Sequence, residues 1–234
     1  MKRVAVFGAS GAIGSAFVDL LSQYSELVYA FSQSDYSNNK TNVVCHKFDY
    51  QNEDSIKNSA RIIDADLDLI IVATGLLHSG NIMPEKSLLE VAPDNLLKLY
   101  YANTVVPAMI IKHFHKLLAK NYTSKFALLS ARVGSISDNR LGGWYSYRCS
   151  KSALNMLIKS AAIELKRINS NAIIFGLHPG TVDSKLSQPF QKNVPDGKLF
   201  TPEFSVTELI KVINDRKHSD SGLCFAWDGE IIIP

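Results

Sequence analysis

Long apolar runs are missing from this sequence. No stretch approaches the ~18 consecutive apolar residues that mark a bilayer-spanning helix, so no membrane partner is expected. Cysteine is scarce and odd in number, with Cys45, Cys149 and Cys224 far apart. That speaks against a disulfide framework and suits reduced thiols in a cytoplasmic protein. Charge of one sign never accumulates. Lys and Arg total 25 against 22 Asp and Glu, which leaves a formal net charge of only +3. Nucleic acid is therefore not an expected partner. A metal signature is also lacking: His113 and His115 stand two apart in a helical pattern and so face different directions. Near the start, Gly8 and Ser10 break the opening apolar run too early for the apolar region of a signal peptide.

What is present is enough for a full core. With 234 residues and 46% hydrophobic content, one α/β domain over 1–234 is expected. Short apolar runs alternate with longer amphipathic segments. Strands are expected over 3–9, 27–34, 43–49, 67–75, 124–131 and 171–180, with a short terminal one within 222–233. Helices are expected over 11–24, 52–64, 94–119 and 151–168. The strands are rich in Val, Ile and Leu without strict alternation, which marks burial on both faces. Alternation with helices then implies a doubly wound, parallel sheet of about seven strands with helices on both faces. The stretch 185–202 is polar and carries three of the eight prolines, as a loop over a substrate site would.

The first strand runs into "GASGAIG" at 8–14. Gly8, Gly11 and Gly14 leave backbone N–H groups free to approach a pyrophosphate, which would sit at the positive end of the following helix. This first strand-to-helix junction is where a dinucleotide-binding Rossmann fold places its phosphates; a tight turn with no ligand is the plainer alternative. The second strand ends in Ser32, Gln33 and Ser34. No carboxylate stands there to accept from a ribose 2′-OH or to repel a 2′-phosphate, so NADP is favoured and NAD is left open. No Arg or Lys stands there either, and Asp35 reads as a turn residue. Asp49 follows the third strand and would either accept from an adenine amino group or cap the next helix.

Further pieces recur in order: "ATG" with Ala73 and Gly75, Asn103 in "YYANTVVP", the serines of "LLSARVGS", "YRCSK" from Tyr147 to Lys151, and "HPGTVDS" from His178 to Ser184. Together with the glycine turn, including Ser10 and Ile13, they make the chain resemble the short-chain dehydrogenase/reductase family over nearly its whole length. Within it the chain is most similar to the branch of small carbonyl reductases and cell–cell signalling proteins of the C-factor type. The resemblance implies an oxidoreductase that uses NADP, or NAD, to reduce a carbonyl or oxidise an alcohol of a small molecule by hydride transfer. It implies that Tyr147 exchanges the proton and that a serine holds the substrate oxygen. Lys151 would also bind nicotinamide ribose hydroxyls, and Asn103 would support a water-linked relay. Pro179 and Gly180 would turn the chain so that the Val182 backbone holds the carboxamide and Ser184 reaches the carboxamide or the pyrophosphate. A homodimer through two helices is implied as well. The alternative within the same branch is a signalling or scaffold protein that binds the dinucleotide with little turnover.

The residue types fit this chemistry. Tyr147 and Lys151 stand at i and i+4 and share a helix face. A free phenol has a pKa of about 10, and a nearby ammonium favours the phenolate. Such a lowering would make Tyr147 a usable acid and base. One position departs from the family pattern Ser-Ser-x-x-Gly: Ala131 occupies the second serine's place. Ser130 is taken as the catalytic serine, with Ser135 as the alternative. Trp144 and Phe190 suggest an apolar pocket. On the helix after Lys151, Ala153, Met156 and Ile163 widen the apolar arc beyond one stripe, as a helix at an interface would.

Overall fold

Six apolar runs form the strands β1 (Arg3–Phe7), β2 (Leu27–Ser32), β3 (Val43–Lys47), β4 (Leu69–Val72), β5 (Ser124–Leu129) and β6 (Ala172–His178). In this computed structural model, which describes residues 1–234 apart from the side chain of Asn193, they share one sheet. Two pairs follow: β7 (Thr181–Val182) with β8 (Leu199–Phe200), and β9 (Cys224–Ala226) with β10 (Ile231–Ile232). The large sheet has eight strands in the order β10-β9-β6-β5-β4-β1-β2-β3. Every pairing in it is parallel except β9 with β10. This is a doubly wound Rossmann-type sheet, and its topological switch lies between β1 and β4.

Helices cover both faces, as an all-apolar parallel strand demands. The helix α1 (Ala12–Leu21) and the late helix α6 (Pro202–Asp215) bury Phe17, Leu21, Val206 and Leu209 against one face. On the other face α2 (Glu53–Arg61), α4 (Val106–Phe114) and α5 (Tyr145–Ile168) bury Ile56, Ile110, Phe114, Leu154 and Ile158. Phe7 stacks on Phe31 at 4.7 Å and meets Phe114 edge-on at 4.7 Å, which stiffens the end of β1 just before Gly8. Among the described residues no helix is long and apolar enough to cross a membrane.

Several elements differ from the expectation. The helix expected over 94–119 is interrupted: α3 (Pro93–Tyr100) leads into a wide π turn at Tyr101–Val105, then α4, then a 3₁₀ turn at His115–Leu117. Pro107 explains the break. A proline cannot donate to the carbonyl four residues back, here that of Asn103, and its ring clashes with it. The chain relieves this by widening, and Val106 N–H reaches Tyr101 O instead. The stretch 185–202 is not featureless, for it holds a 3₁₀ turn at Gln188–Asn193 and β8. The terminal strand is a hairpin, turned at Gly229 with φ +86°. Helix α6 lies beyond the expected set; Thr201 caps it by accepting from Phe204 N–H at 3.2 Å, and Pro202 opens it. Helix α5 starts at Tyr145 rather than near 151, so Tyr147 lies in its first turn.

Candidate active site

The turn after β1 is shaped by what glycine permits. Gly8 adopts φ +85°, and a Cβ there would lie 2.9 Å from the Ala73 backbone. A Cβ on Gly14 would lie 2.0 Å from Gly8 O. No other residue fits either place, so β1, α1 and the end of β4 close into a cradle of main chain. Beside it opens a cavity of about 1040 Å³. Gly8, Ser10, Gly11, Ala73 and Gly75 wall this cavity, together with Gln33, Ser34, Tyr50 and Thr74. Tyr50 Oη and Thr74 Oγ1 are buried and find no partner among the described residues. Burial raises the Tyr50 phenol above its ordinary pKa and keeps it a donor. A backbone cradle at a helix N-terminus with orphan hydroxyls on its walls fits a dinucleotide.

Not every residue read from the sequence reaches this cavity. Ile13 packs into the α1 face of the core. Ser32 is 2% exposed and donates to Ser34 O at 2.6 Å, so Gln33 and Ser34 form the rim in its place. Asp49 is exposed and bends back to accept from Gln51 N–H at 2.8 Å; Asn52, not Asp49, caps α2. The wall position falls one residue later, to Tyr50, because Asp49 is held in its own turn. A cation also stands near the strand tip: Lys47, opposite Ser32 in register, pairs with Asp35 at 2.6 Å. Both ends of that pair are exposed.

The second end of the site is built around α5. Lys151 is 3% exposed, and its Nζ donates to Leu129 O at 2.9 Å and lies 5.9 Å from the centre of the Tyr147 ring. Burial pushes the Lys151 pKa down to about 8, with Cys224 offsetting part of that. The Tyr147 phenol is raised by burial, in contrast to the lowering expected from an adjacent ammonium. Burial favours the neutral form, so Tyr147 stands as a protonated phenol, and Lys151 Nζ is directed to the Leu129 carbonyl. Asn103 is fully buried in the π turn, a frequent setting for functional residues. Its Oδ1 accepts from Leu76 N–H at 2.8 Å, and its Nδ2 donates to Leu76 O at 2.8 Å and Ser150 Oγ at 3.0 Å. Gly75 joins these groups: a Cβ there would stand 3.7 Å from Lys151 Nζ and 3.5 Å from Asn103 Oδ1.

The serines are placed differently from each other. Ser130 Oγ donates to Asn155 Oδ1 at 2.6 Å, so its only proton is engaged. Ser135 is 2% exposed and accepts from Asp138 N–H at 3.1 Å, which leaves its own proton uncommitted among the described bonds. Asn155, one further turn along α5 from Lys151, also accepts from Cys224 Sγ at 3.2 Å. It went unread in the sequence, although its i+4 spacing from Lys151 is a signal. The segment after β6 turns at Gly180, with φ +77° and a Cβ position only 2.6 Å from Phe200. Pro179 O accepts from Ser205 Oγ at 2.7 Å, which anchors the turn on α6. Val182 O accepts from Ser187 Oγ, and Ser184 Oγ points to Val182 O at 3.3 Å. His178 is held neutral, its pKa pushed down to about 4 by burial and by Arg132.

An aromatic wall flanks Tyr147. Trp144 lies 6.2 Å from its ring and 5.0 Å from Phe190, and His78 meets Phe190 at 5.8 Å. His78 Nε2 also lies 3.1 Å from Lys185 O. No cluster of groups suited to a metal occurs among the described residues.

Known proteins bear on this arrangement. An oxidoreductase of Schizosaccharomyces pombe, described as uncharacterized, is 26% identical to the chain, with 97% of this chain and 96% of its own length covered. The C-signal protein of Myxococcus xanthus is 28% identical over 58% of this chain and 76% of its own. Among solved structures, NADPH-bound carbonyl reductase from chicken fatty liver superposes with a TM-score of 0.83 at 24% identity, covering 100% of this chain and 99% of that one. Since the sequence pattern of the family described as short chain dehydrogenase also matches residues 2–195, through both the glycine cradle and the Tyr147–Lys151 pair, the chain belongs to that family.

Proposed function

We propose that the chain, as one dinucleotide-binding unit over 1–234, reduces a small-molecule carbonyl with NADPH, NADH serving less well. The observation that carries this reading is the meeting of Gly75, Asn103 and Lys151 at the cavity wall, with Tyr147 one helical turn before Lys151 on α5. When bound, the nicotinamide supplies hydride to the carbonyl carbon. Tyr147, kept protonated by burial, gives its proton to the carbonyl oxygen. Lys151, charged below about pH 8, stands beside Gly75 and would hold the ribose hydroxyls. Asn103 fixes the exit of β4 through Leu76. Of the two serines, Ser130 carries the family position next to Ala131, whereas Ser135 has the free proton that an oxyanion needs. The wall of His78, Trp144 and Phe190 suits an apolar or aromatic carbonyl compound. Support for NADP comes from the absence of an acid among Ser32, Gln33 and Ser34. The free cysteines suit a cytoplasmic setting.

The test is oxidation of NADPH followed with a panel of aldehydes, quinones and aromatic ketones. Turnover of at least one supports the reading. Cofactor binding without turnover of any would favour the second reading, a signalling or scaffold protein, which the likeness to C-signal and the engaged Ser130 proton support. We further propose a homodimer. Met156 is 67% and Ile163 50% exposed on α5, so the segment 185–202 does not cover that apolar arc. Light scattering should give twice the 25.9 kDa of one chain, and Met156→Glu should return it to one, since an interface resists burying an unpaired carboxylate.

A further inference from the structure

Helix α5 begins without any of the usual devices. Its first flanking residue is Trp144, which offers no capping side chain, and its first turn holds no acid. Trp144 also adopts φ +52°, the left-handed region that a bulky side chain avoids. Gly142 and Gly143 precede it at φ +63° and +62°. A strained run of this kind persists only where its surroundings fix it from several sides.

One residue supplies the fixing. Glu85 lies in the long connection between β4 and α3, and within 81–90 only Pro84 and Glu85 are buried. Glu85 is 2% exposed. Its backbone O accepts from Trp144 N–H at 2.5 Å. Its carboxylate accepts from Ser146 N–H at 3.1 Å and from Ser146 Oγ. The same residue therefore grips the chain on both flanks of the strained Trp144. None of the described ion pairs includes Glu85. A buried carboxylate without a cation is costly, and here the free N–H groups and positive end of α5 offset the charge. The next residue along is Tyr147.

We infer that Glu85 is a positioning residue for the reaction: its buried carboxylate caps α5 from 61 positions away in sequence and sets where Tyr147 and the Trp144 wall stand over the cleft. It rests on the reading of Tyr147 as the proton donor. It also ties the connection carrying His78 to the helix carrying the phenol. Its carboxylate accepts only from the first turn of α5 among the described bonds, which separates it from Lys151, whose Nζ lies beside Gly75 of the cavity wall.

The test compares Glu85→Ala and Glu85→Gln with the unaltered protein. For Glu85→Ala, kcat should fall roughly 10- to 100-fold, the scale of a small misplacement of reacting groups, while KM moves little and NADPH affinity is unchanged. Glu85→Gln should recover most of kcat, because an amide oxygen still accepts from Ser146 N–H. Hydrogen exchange gives a readout independent of turnover. Amides of 144–148 should exchange faster in Glu85→Ala, with those of 158–168 unchanged. An unaltered kcat, or faster exchange spread evenly along α5, overturns the inference. If Glu85→Ala does not fold, Ser146→Ala removes one of the two carboxylate contacts and should show the same local loosening; unchanged exchange in that variant overturns it too. Should the unaltered protein turn over no carbonyl, the reductase reading fails by itself, and the exchange pattern still decides whether Glu85 holds the helix.

Discussion

The two ends of the cleft are built from different materials. At the glycine end the surface is main chain, with Gly8 and Gly11 on the cavity wall and a turn that a Cβ on Gly8 or Gly14 would fill. At the Tyr147 end the surface is side chain: Tyr147 and Trp144 at the start of α5 meet Phe190 from a distant segment, and Glu85 braces the helix start. A main-chain site is fixed by local conformation and serves every chain that folds this way. A side-chain site depends on long-range partners, so it is free to vary and is where substrate choice resides.

The contrast can be broken most sharply at Tyr147. Tyr147→Phe keeps the ring and its packing but removes the proton, so kcat should drop by ~10²- to 10⁴-fold with cofactor affinity unchanged. Steady-state kinetics beside a fluorescence titration of NADPH reads both. Alanine at Ser130 and at Ser135 in turn sharpens the same end: the residue that holds the substrate oxygen should cost ~10²-fold in kcat, the scale of losing one oxyanion donor, and the other much less.

Gly14→Ala strikes the opposite end. The added methyl would stand 2.0 Å from Gly8 O, so the cradle must open. A loss of ~1–3 kcal/mol in denaturant unfolding is expected, as for an overpacked core position, with cofactor affinity falling and the Tyr147 environment intact. Preserved NADPH affinity would remove the cradle's assigned role.

A pH-dependent effect belongs to Lys151, beside Gly75 and Asn103. Its pKa is about 8 folded against 10.5 as an ordinary lysine. Between those values the unfolded chain holds the proton and the folded chain does not. Stability should therefore rise with pH across that window, and the burial penalty on the charged form is felt below it. Lys151→Met should flatten this rise when urea midpoints are compared on both sides of pH 8. An identical slope in both proteins would mean the ammonium is not desolvated.

Much of this was legible in the residues. The strands β1 to β6, the glycine cradle and the Tyr147–Lys151 spacing are local patterns, and the resemblance carried by ordered motifs supplied Asn103, Ser130 and the turn at Pro179. Other features were written locally and passed over. Thr201 and Pro202 announce α6, and Pro107 announces the π turn that holds Asn103. Tyr50 and Glu85 carried no such mark. The first is distinguished from Asp49 only because Asp49 folds back onto Gln51, and the second is one acid in a polar stretch until α5 is laid against it.

The sequence by itself determined the layered sheet, the place of the glycine cradle and the pairing of Tyr147 with Lys151 on one helix face, because these follow from periodicity, from glycine's freedom of φ, and from a spacing of one helical turn. Tertiary structure alone decided which side chains stand at the cleft, what holds them and in which protonation state they rest. Burial and hydrogen-bond partners set those properties, and both come from segments distant in the chain: Ser130 is engaged by Asn155, Ser146 by Glu85, and the phenol of Tyr147 is kept neutral by the protein packed around it.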